Sequence, residues 1–185
     1  MKINGKEVRI RSINDAIEAG IGYVPEDRLT QGLFMDKSIA DNIIASSPNE
    51  HTTRLGTLDL RAVRQTIQGL FDRLRVKAPN VQSPVRTLSG GNAQRVVLAK
   101  WLARRPRILM LNGPTVGVDI GSKAEILSIL RAEAADGMGI IVISDDAPEL
   151  VACCHRVLVV RHGRVVDVLE GDDVAVDIIR EKVAA

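Results

Sequence analysis

Leu88-Ser89-Gly90-Gly91-Asn92-Ala93-Gln94 opens an apolar run that ends near Ala103, and Arg107-Ile108-Leu109-Met110-Leu111-Asn112-Gly113-Pro114-Thr115 lies just beyond it. Ser89 has the chemistry of an N-cap, and Gly90 and Gly91 allow the backbone to approach a ligand closely. Val96, Val97, Leu98, Trp101 and Leu102 supply one broad apolar stripe, so the spacing predicts a helix over 93–103 with that face buried. A helix N-terminus presents free N–H groups and the positive end of its dipole, which makes this turn a candidate phosphate contact. The same residues also spell a plain loop capping a plain helix, and alone they do not separate the two.

The order of the downstream segments narrows the choice. Arg105-Pro106 breaks the helix, and Ile108–Leu111 has the short apolar pattern of a buried parallel strand. A Gly/Pro-rich loop from Gly113 to Gly121 carries Asp119. A second helix is predicted over 122–135, closed by Asp136-Gly137, and a second strand over 139–143, ending at Ser144-Asp145-Asp146. Signature turn, helix, strand, loop, helix, strand in this order resembles the rear part of an ATP-binding cassette (ABC) domain. It is most similar to the second nucleotide-binding domain of tandem ATPases from bacterial monosaccharide importers, in which LSGGN replaces the commoner LSGGQ. Gly20-Ile21-Gly22-Tyr23-Val24-Pro25-Glu26-Asp27-Arg28 and Gly117-Val118-Asp119-Ile120-Gly121-Ser122-Lys123-Ala124-Glu125-Ile126 resemble the same family.

The resemblance implies an α/β fold: a partial P-loop NTPase-like domain with a mostly parallel sheet, flanking helices and a helical subdomain. One domain is expected over 1–185, with the helical subdomain and linker at about 30–87 and the signature and rear core strands at 88–171. It implies ATP as ligand, contacted by Ser89, Gly90, Gly91 and Asn92, with Mg²⁺ in a complete dimer site. It places coupling or interface roles at Glu26, where many ABC proteins have a glutamine that senses the γ-phosphate, and at Asp119, whose other reading is an Asx-turn. The implied partners are a second ABC ATP-binding domain and a membrane-spanning permease. The implied location is cytoplasmic, peripheral to the inner face of the cell membrane.

Three positions depart from that pattern. Asn112 stands where the family has an aspartate that holds Mg²⁺, and a neutral amide is a weaker partner for a hard cation. Gly113 stands where a glutamate activates the attacking water, and glycine offers no base, a contribution typically worth ~10²–10⁴-fold. Ser144 stands where a histidine switch is usual. No G-x-x-x-x-G-K-[S/T] occurs in the 185 residues, so the resemblance implies a cassette without its phosphate-loop portion. No intact catalytic residue is expected. Three functions remain open: a signature half-site for ATP held by a partner, with impaired hydrolysis of its own; part of a hydrolytically active sugar importer ATPase; and a folded remnant with no nucleotide function.

Composition bounds the rest. Hydrophobic residues make up 45% of the chain but aromatics only 2%, which predicts a core of Ile, Leu, Val and Ala, suited to helices on a parallel sheet. A net charge of +2 gives no electrostatic case for nucleic acid, and Arg104, Arg105 and the arginines of 61–75 read as solvated faces. No apolar stretch approaches the ~20 residues of a membrane span, and the N-terminus lacks the apolar core of a signal peptide. Adjacent Cys153 and Cys154 suit reduced thiols better than a disulfide. With His155 they lack a second ligand cluster, so no metal site is expected.

Further elements rest on pattern alone. A hairpin is predicted over 3–10 around Asn4-Gly5, a helix from Ser12 to Gly20, and a strand over 21–24 ended by Pro25. A short helix is expected over 38–46, a polar loop over 47–57, and a long helix over 58–76. Leu60, Val63, Ile67, Leu70, Phe71 and Leu74 recur there at helical spacing. A strand pair is expected around His162-Gly163, then a last helix to about Val183 capped by Asp172 or Asp173. His51, His155 and His162 read as structural or exposed.

Overall fold

Three parallel strands carry the site end of the molecule: β3 (Ile21–Val24), β4 (Ile108–Asn112) and β5 (Gly139–Ile143), in the order β3-β4-β5. The structure is a computed structural model that describes residues 1–3, 5–47, 51–52 and 56–184. Before the sheet come a small hairpin, β1 (Lys2–Ile3) with β2 (Lys6–Glu7), and helix α1 (Ile13–Glu18). Gly5 turns that hairpin at a φ of 77°; Asn4, the other half of the expected turn, lies outside the described residues. Ser12 caps α1 with a reciprocal box, its hydroxyl accepting from the Asp15 amide.

Register places the loops. Ile21 pairs with Ile108 and Val24 with Leu111, while Ile108 pairs with Gly139 and Asn112 with Ile143. The carboxyl ends of the three strands therefore align, and ligands in open α/β sheets bind outside such ends. Each strand alternates: Val24, Leu109 and Leu111 are fully buried, whereas Tyr23, Ile141 and Ile143 on the other face are about half exposed.

Helix α2 (Ile39–Ile44) starts at a second Ser–Asp capping box, Ser38 with Asp41, and α3 (Leu60–Arg73) starts at Asp59, whose carboxylate accepts from two first-turn amides. The apolar spacing foreseen in α3 is realised, with Val63, Ile67 and Leu70 buried. Helix α4 (Gly90–Leu102) differs from expectation. Every residue from Ala93 to Ala99 is buried, not one stripe, because β3, α2, α3 and α5 all pack around it. Trp101, assigned to the buried stripe, is only half-buried. One apolar cluster runs from Val24 through Ile39, Ile67 and Val97 to Leu130, so α2 and α3 share their core with the sheet.

The chain continues through α5 (Ile120–Ala135), β5, α6 (Ala147–Cys153), the antiparallel pair β6 (Arg156–Arg161) and β7 (Arg164–Glu170), and α7 (Val176–Ala184). This end has its own apolar cluster, including Leu150, Val157, Leu169 and Ile179, which Val142 of β5 joins to the larger one. Asp172 and Asp173 do not cap α7. They form a 3₁₀ turn over Gly171–Asp173, and the helix starts at Val176.

Several arginines are more engaged than a solvated face. Arg104 is half-buried and donates to the Ser46 carbonyl. Arg73 pairs with the buried Glu133, whose carboxyl burial pushes up against the pull of that guanidinium. Of the expected 47–57 loop, residues 48–50 and 53–55 lie outside the described ones; His51 is buried. His155 and His162 are exposed, and both cysteines are free.

Candidate functional site

The signature turn begins α4, as foreseen, but Ser89 caps it without its side chain. Its backbone sits at φ −65°, ψ 160°, and no side-chain bond caps the first-turn amides. The hydroxyl is occupied elsewhere, accepting from Asn92 Nδ2 at 2.9 Å, while Asn92 Oδ1 accepts from the Lys77 amide at 2.7 Å. Asn92 thus ties the turn to the segment after α3, and both polar atoms of its side chain are engaged within the chain. What the turn offers outward is backbone N–H and the exposed Ser89. Donors of this kind on a thirteen-residue helix fit the oxygens of one phosphate group.

The glycines are small for internal reasons as well. A Cβ at Gly90 would lie 2.8 Å from the Gly117 carbonyl oxygen and 2.9 Å from an Arg28 nitrogen. One at Gly91 would lie 2.5 Å from Ser122 Oγ. The signature turn is therefore wedged against the 113–121 loop and the start of α5. Asp119 caps α5, its carboxylate accepting from the Ser122 amide at 2.9 Å, and this bond holds its pKa below the ordinary range. The Asx-type role is thus realised, and the carboxylate remains exposed.

At the strand ends, Glu26 and Asn112 come together: Asn112 Nδ2 donates to Glu26 Oε2 at 3.4 Å. Gly113 comes next in a left-handed conformation, φ 55°, its amide donating to the Ile143 carbonyl at 2.8 Å. A Cβ there would meet Val116 Cγ2 at 2.8 Å and Glu26 Cγ at 3.2 Å. Ser144 donates through Oγ to Glu149 Oε2 at 2.7 Å and accepts from the Asp146 amide at 3.1 Å. Glu149 is 2% exposed, and its other oxygen has no hydrogen-bond donor.

Mg²⁺ does not fit this arrangement. Glu26 brings the one carboxylate of the Glu26–Asn112–Gly113 set, and the Asn112 amide points a donor at it. No group of three or more His, Cys, Asp or Glu suited to a metal occurs among the described residues. An octahedral oxygen shell needs better.

Sequence reasoning missed Arg28, Ser122 and Glu149. Arg28 reaches across the chain to donate to the Val116 carbonyl at 2.6 Å and the Gly117 carbonyl at 3.1 Å. Glu149 had a local signal, standing five residues after Ser144 and one turn into a helix. Arg28 had none, because its acceptors lie 88 and 89 residues away.

The family model described as ABC transporter matches residues 1–116, more than half of the chain. The chain belongs to the ABC transporter family. It is 44% identical over 172 residues to a ribose import ATP-binding protein, RbsA 1, of Burkholderia thailandensis, a match covering 93% of this chain and 34% of that protein. It is 42% identical over 179 residues to RbsA 2 of Rhizobium meliloti, covering 97% and 35%. The chain thus spans about a third of these relatives. Among solved structures, the ATP-binding cassette MJ0796, in a dimeric post-hydrolysis state bound to ADP and Pi, superposes with a TM-score of 0.73 at 20% identity, over 91% of this chain and 71% of that one. CbiO1 of Clostridium perfringens, part of an ABC transporter complex, superposes with a TM-score of 0.76 at 22% identity, over 99% and 68%. The fold of the ABC family is therefore present: mixed α/β, a parallel sheet and flanking helices. No helix among the described residues is long and apolar enough to cross a membrane.

Proposed function

We propose that this chain is an ATP-binding portion of a bacterial sugar importer that supplies a signature half-site to ATP held by a partner domain, while its own hydrolysis is impaired. The observation that carries the reading is the first turn of α4: amides without a side-chain cap, an exposed Ser89, and glycines held by Gly117, Arg28 and Ser122. Those backbone donors at Ser89, Gly90, Gly91 and Asn92 contact the γ-phosphate, and Asn92 fixes the turn through its side chain. The names of the relatives, ribose import ATP-binding proteins, support the importer assignment and a permease partner at the inner face of the membrane. Impaired turnover rests on Asn112 and Gly113, neither of which supplies an acidic metal ligand or a base at the end of β4.

The domain division goes with this reading: residues of about 30–87 form the helical subdomain, which faces the permease, and its linker, and 88–171 carry the signature and rear strands. The test is ATP-dependent pairing with an intact cassette whose own hydrolysis is blocked. Ser89→Arg places a bulky cation on the phosphate-facing turn and is expected to weaken pairing at least tenfold without changing the melting temperature. Pairing by the variant equal to that of the parent would overturn the half-site.

A further inference from the structure

In the half-site reading Arg28 appears only as a neighbour of Gly90, and its own bonds carry more than that. It lies two residues after Glu26, at the start of the turn Arg28–Gly32 after β3. Among the described residues its guanidinium pairs with no carboxylate. Nη1 donates to the Val116 carbonyl at 2.6 Å and Nη2 to the Gly117 carbonyl at 3.1 Å, while Nε is buried with no acceptor. Burial lowers the pKa of the group, with Asp27 acting against that, and the guanidinium remains a cation under any ordinary condition. A half-buried cation donating to two successive backbone carbonyls is a positional device. It satisfies acceptors in a loop, Gly113–Asp119, that has few bonds of its own: Val116 N–H to the Gly113 carbonyl and Val118 N–H to the Thr115 carbonyl.

The second observation comes from the glycines. Gly117 stands at φ 66°, and a Cβ on it would lie 3.4 Å from Arg28 Nη2. A Cβ on Gly90 would sit 2.9 Å from that same nitrogen and 2.8 Å from the carbonyl it bonds. Arg28 is thus packed at the meeting point of three segments: the end of β3, the Asp119 loop and the signature turn. We propose that Arg28 is a positioning residue that clamps the Asp119 loop against Gly90, so that the placement of the phosphate-facing turn is set from the Pro25–Arg28 segment. The planar fork is what the task needs, since an ammonium has no rigid pair of donors to span two successive carbonyls. The functional side of the proposal rests on the half-site reading; the clamp itself does not.

The test uses the full chain with Arg28→Met, Arg28→Lys and, independently, Gly90→Ala. Hydrogen exchange is measured at the Val116, Val118 and Ser122 amides and, as internal reference, at Val96–Ala99. Pairing is measured with the intact, hydrolysis-blocked Burkholderia thailandensis relative in the presence of ATP. Arg28→Met is expected to speed exchange at Val118 and Ser122 at least tenfold and weaken pairing at least tenfold, with the α4 reference amides unchanged. Arg28→Lys is expected to fall between Met and the parent, and Gly90→Ala to reproduce the loosened loop by pushing out Gly117 and the guanidinium. Unchanged loop exchange in Arg28→Met, full rescue by Lys, or an equal loss of protection throughout α4 would each overturn the clamp. Should Arg28→Met fail to fold, the Lys and Ala variants decide on the same amides. A parent chain that does not pair, with a loop that still loosens in Arg28→Met, removes the half-site and leaves the clamp.

Discussion

Asp119 shows how one side chain can be read two ways and be structural in the folded chain. Its carboxylate accepts from the Ser122 amide, and that bond lowers its pKa from an ordinary 3.8. A carboxyl whose folded pKa is depressed stabilises the fold fully above its unfolded value, and that contribution is lost as pH falls through the folded value. Amide protection in the first turn of α5 is therefore expected to be flat above about pH 4 and to fall below it. Asp119→Asn keeps an acceptor and should flatten this acid limb, whereas Asp119→Ala should lower protection at every pH. An acid limb that survives in Asp119→Asn would assign it to another group. Residue chemistry of this kind was legible beforehand, because N-caps act within three positions. The Asn92 side chain was not, since its carbonyl partner is the Lys77 amide, fifteen residues back.

Among the elements, α4 is where pattern and packing part. Its apolar positions describe a stripe, yet it is surrounded, and Arg95 is carried into the interior with 2% exposure. The guanidinium donates to the carbonyls of Leu74 at 2.9 Å and Arg75 at 3.1 Å and pairs with Glu125 of α5. It thus ends α3, where Arg75 turns the chain at φ 51°, and links α3, α4 and α5 through one side chain. Arg95→Leu preserves apolar volume but strips two carbonyls of their donor, an expected loss of about 1–3 kcal/mol per buried acceptor left unpaired. Half-exposed Glu125 regains water, so the pair adds little. Urea unfolding measures this, and a midpoint equal to the parent's would show that solvent reaches those carbonyls. Elements whose signals are local (the helix start at Ser12 and the spacing of α3) were legible from sequence, whereas Ile108–Leu111, expected as a buried apolar run, alternates between buried and half-buried positions. Burial of α4 on all sides was not, because it depends on what packs from elsewhere.

Across the whole molecule, the arrangement leaves apolar surface open. Tyr23, Ile141 and Ile143 share one face of the parallel sheet, and Leu158, Val160, Val165, Val166 and Val168 are each about half exposed on the β6–β7 pair. Among the described residues, β5 bonds only to β4, and β6 only to β7, so each presents an unpaired edge. Apolar faces beside open edges promote association. The isolated chain is expected to self-associate with rising concentration, and a double substitution Ile141→Lys/Val166→Lys to shift that onset at least severalfold without lowering the melting temperature. Sedimentation at graded concentrations decides it, with identical behaviour of the two proteins counting against these faces. Fold class and the order of elements along the chain were readable from the motifs, but the exposure of these strands was not, since an apolar run does not say what covers each of its faces.

Gly113 carries a consequence for any attempt at repair. The residue is left-handed, and the space a side chain would take is filled by Val116 and the Glu26 stem. Replacing it by glutamate would charge the strand end beside an existing carboxylate and force a conformation that costs an L-residue about 1–2 kcal/mol. On the impaired-hydrolysis reading, two side-chain changes alone would therefore not install a carboxylate pair here. The loop fills the space that a base would need, so substitutions must come in order: Val116 reduced first, the backbone at 113 reset, the carboxylates last.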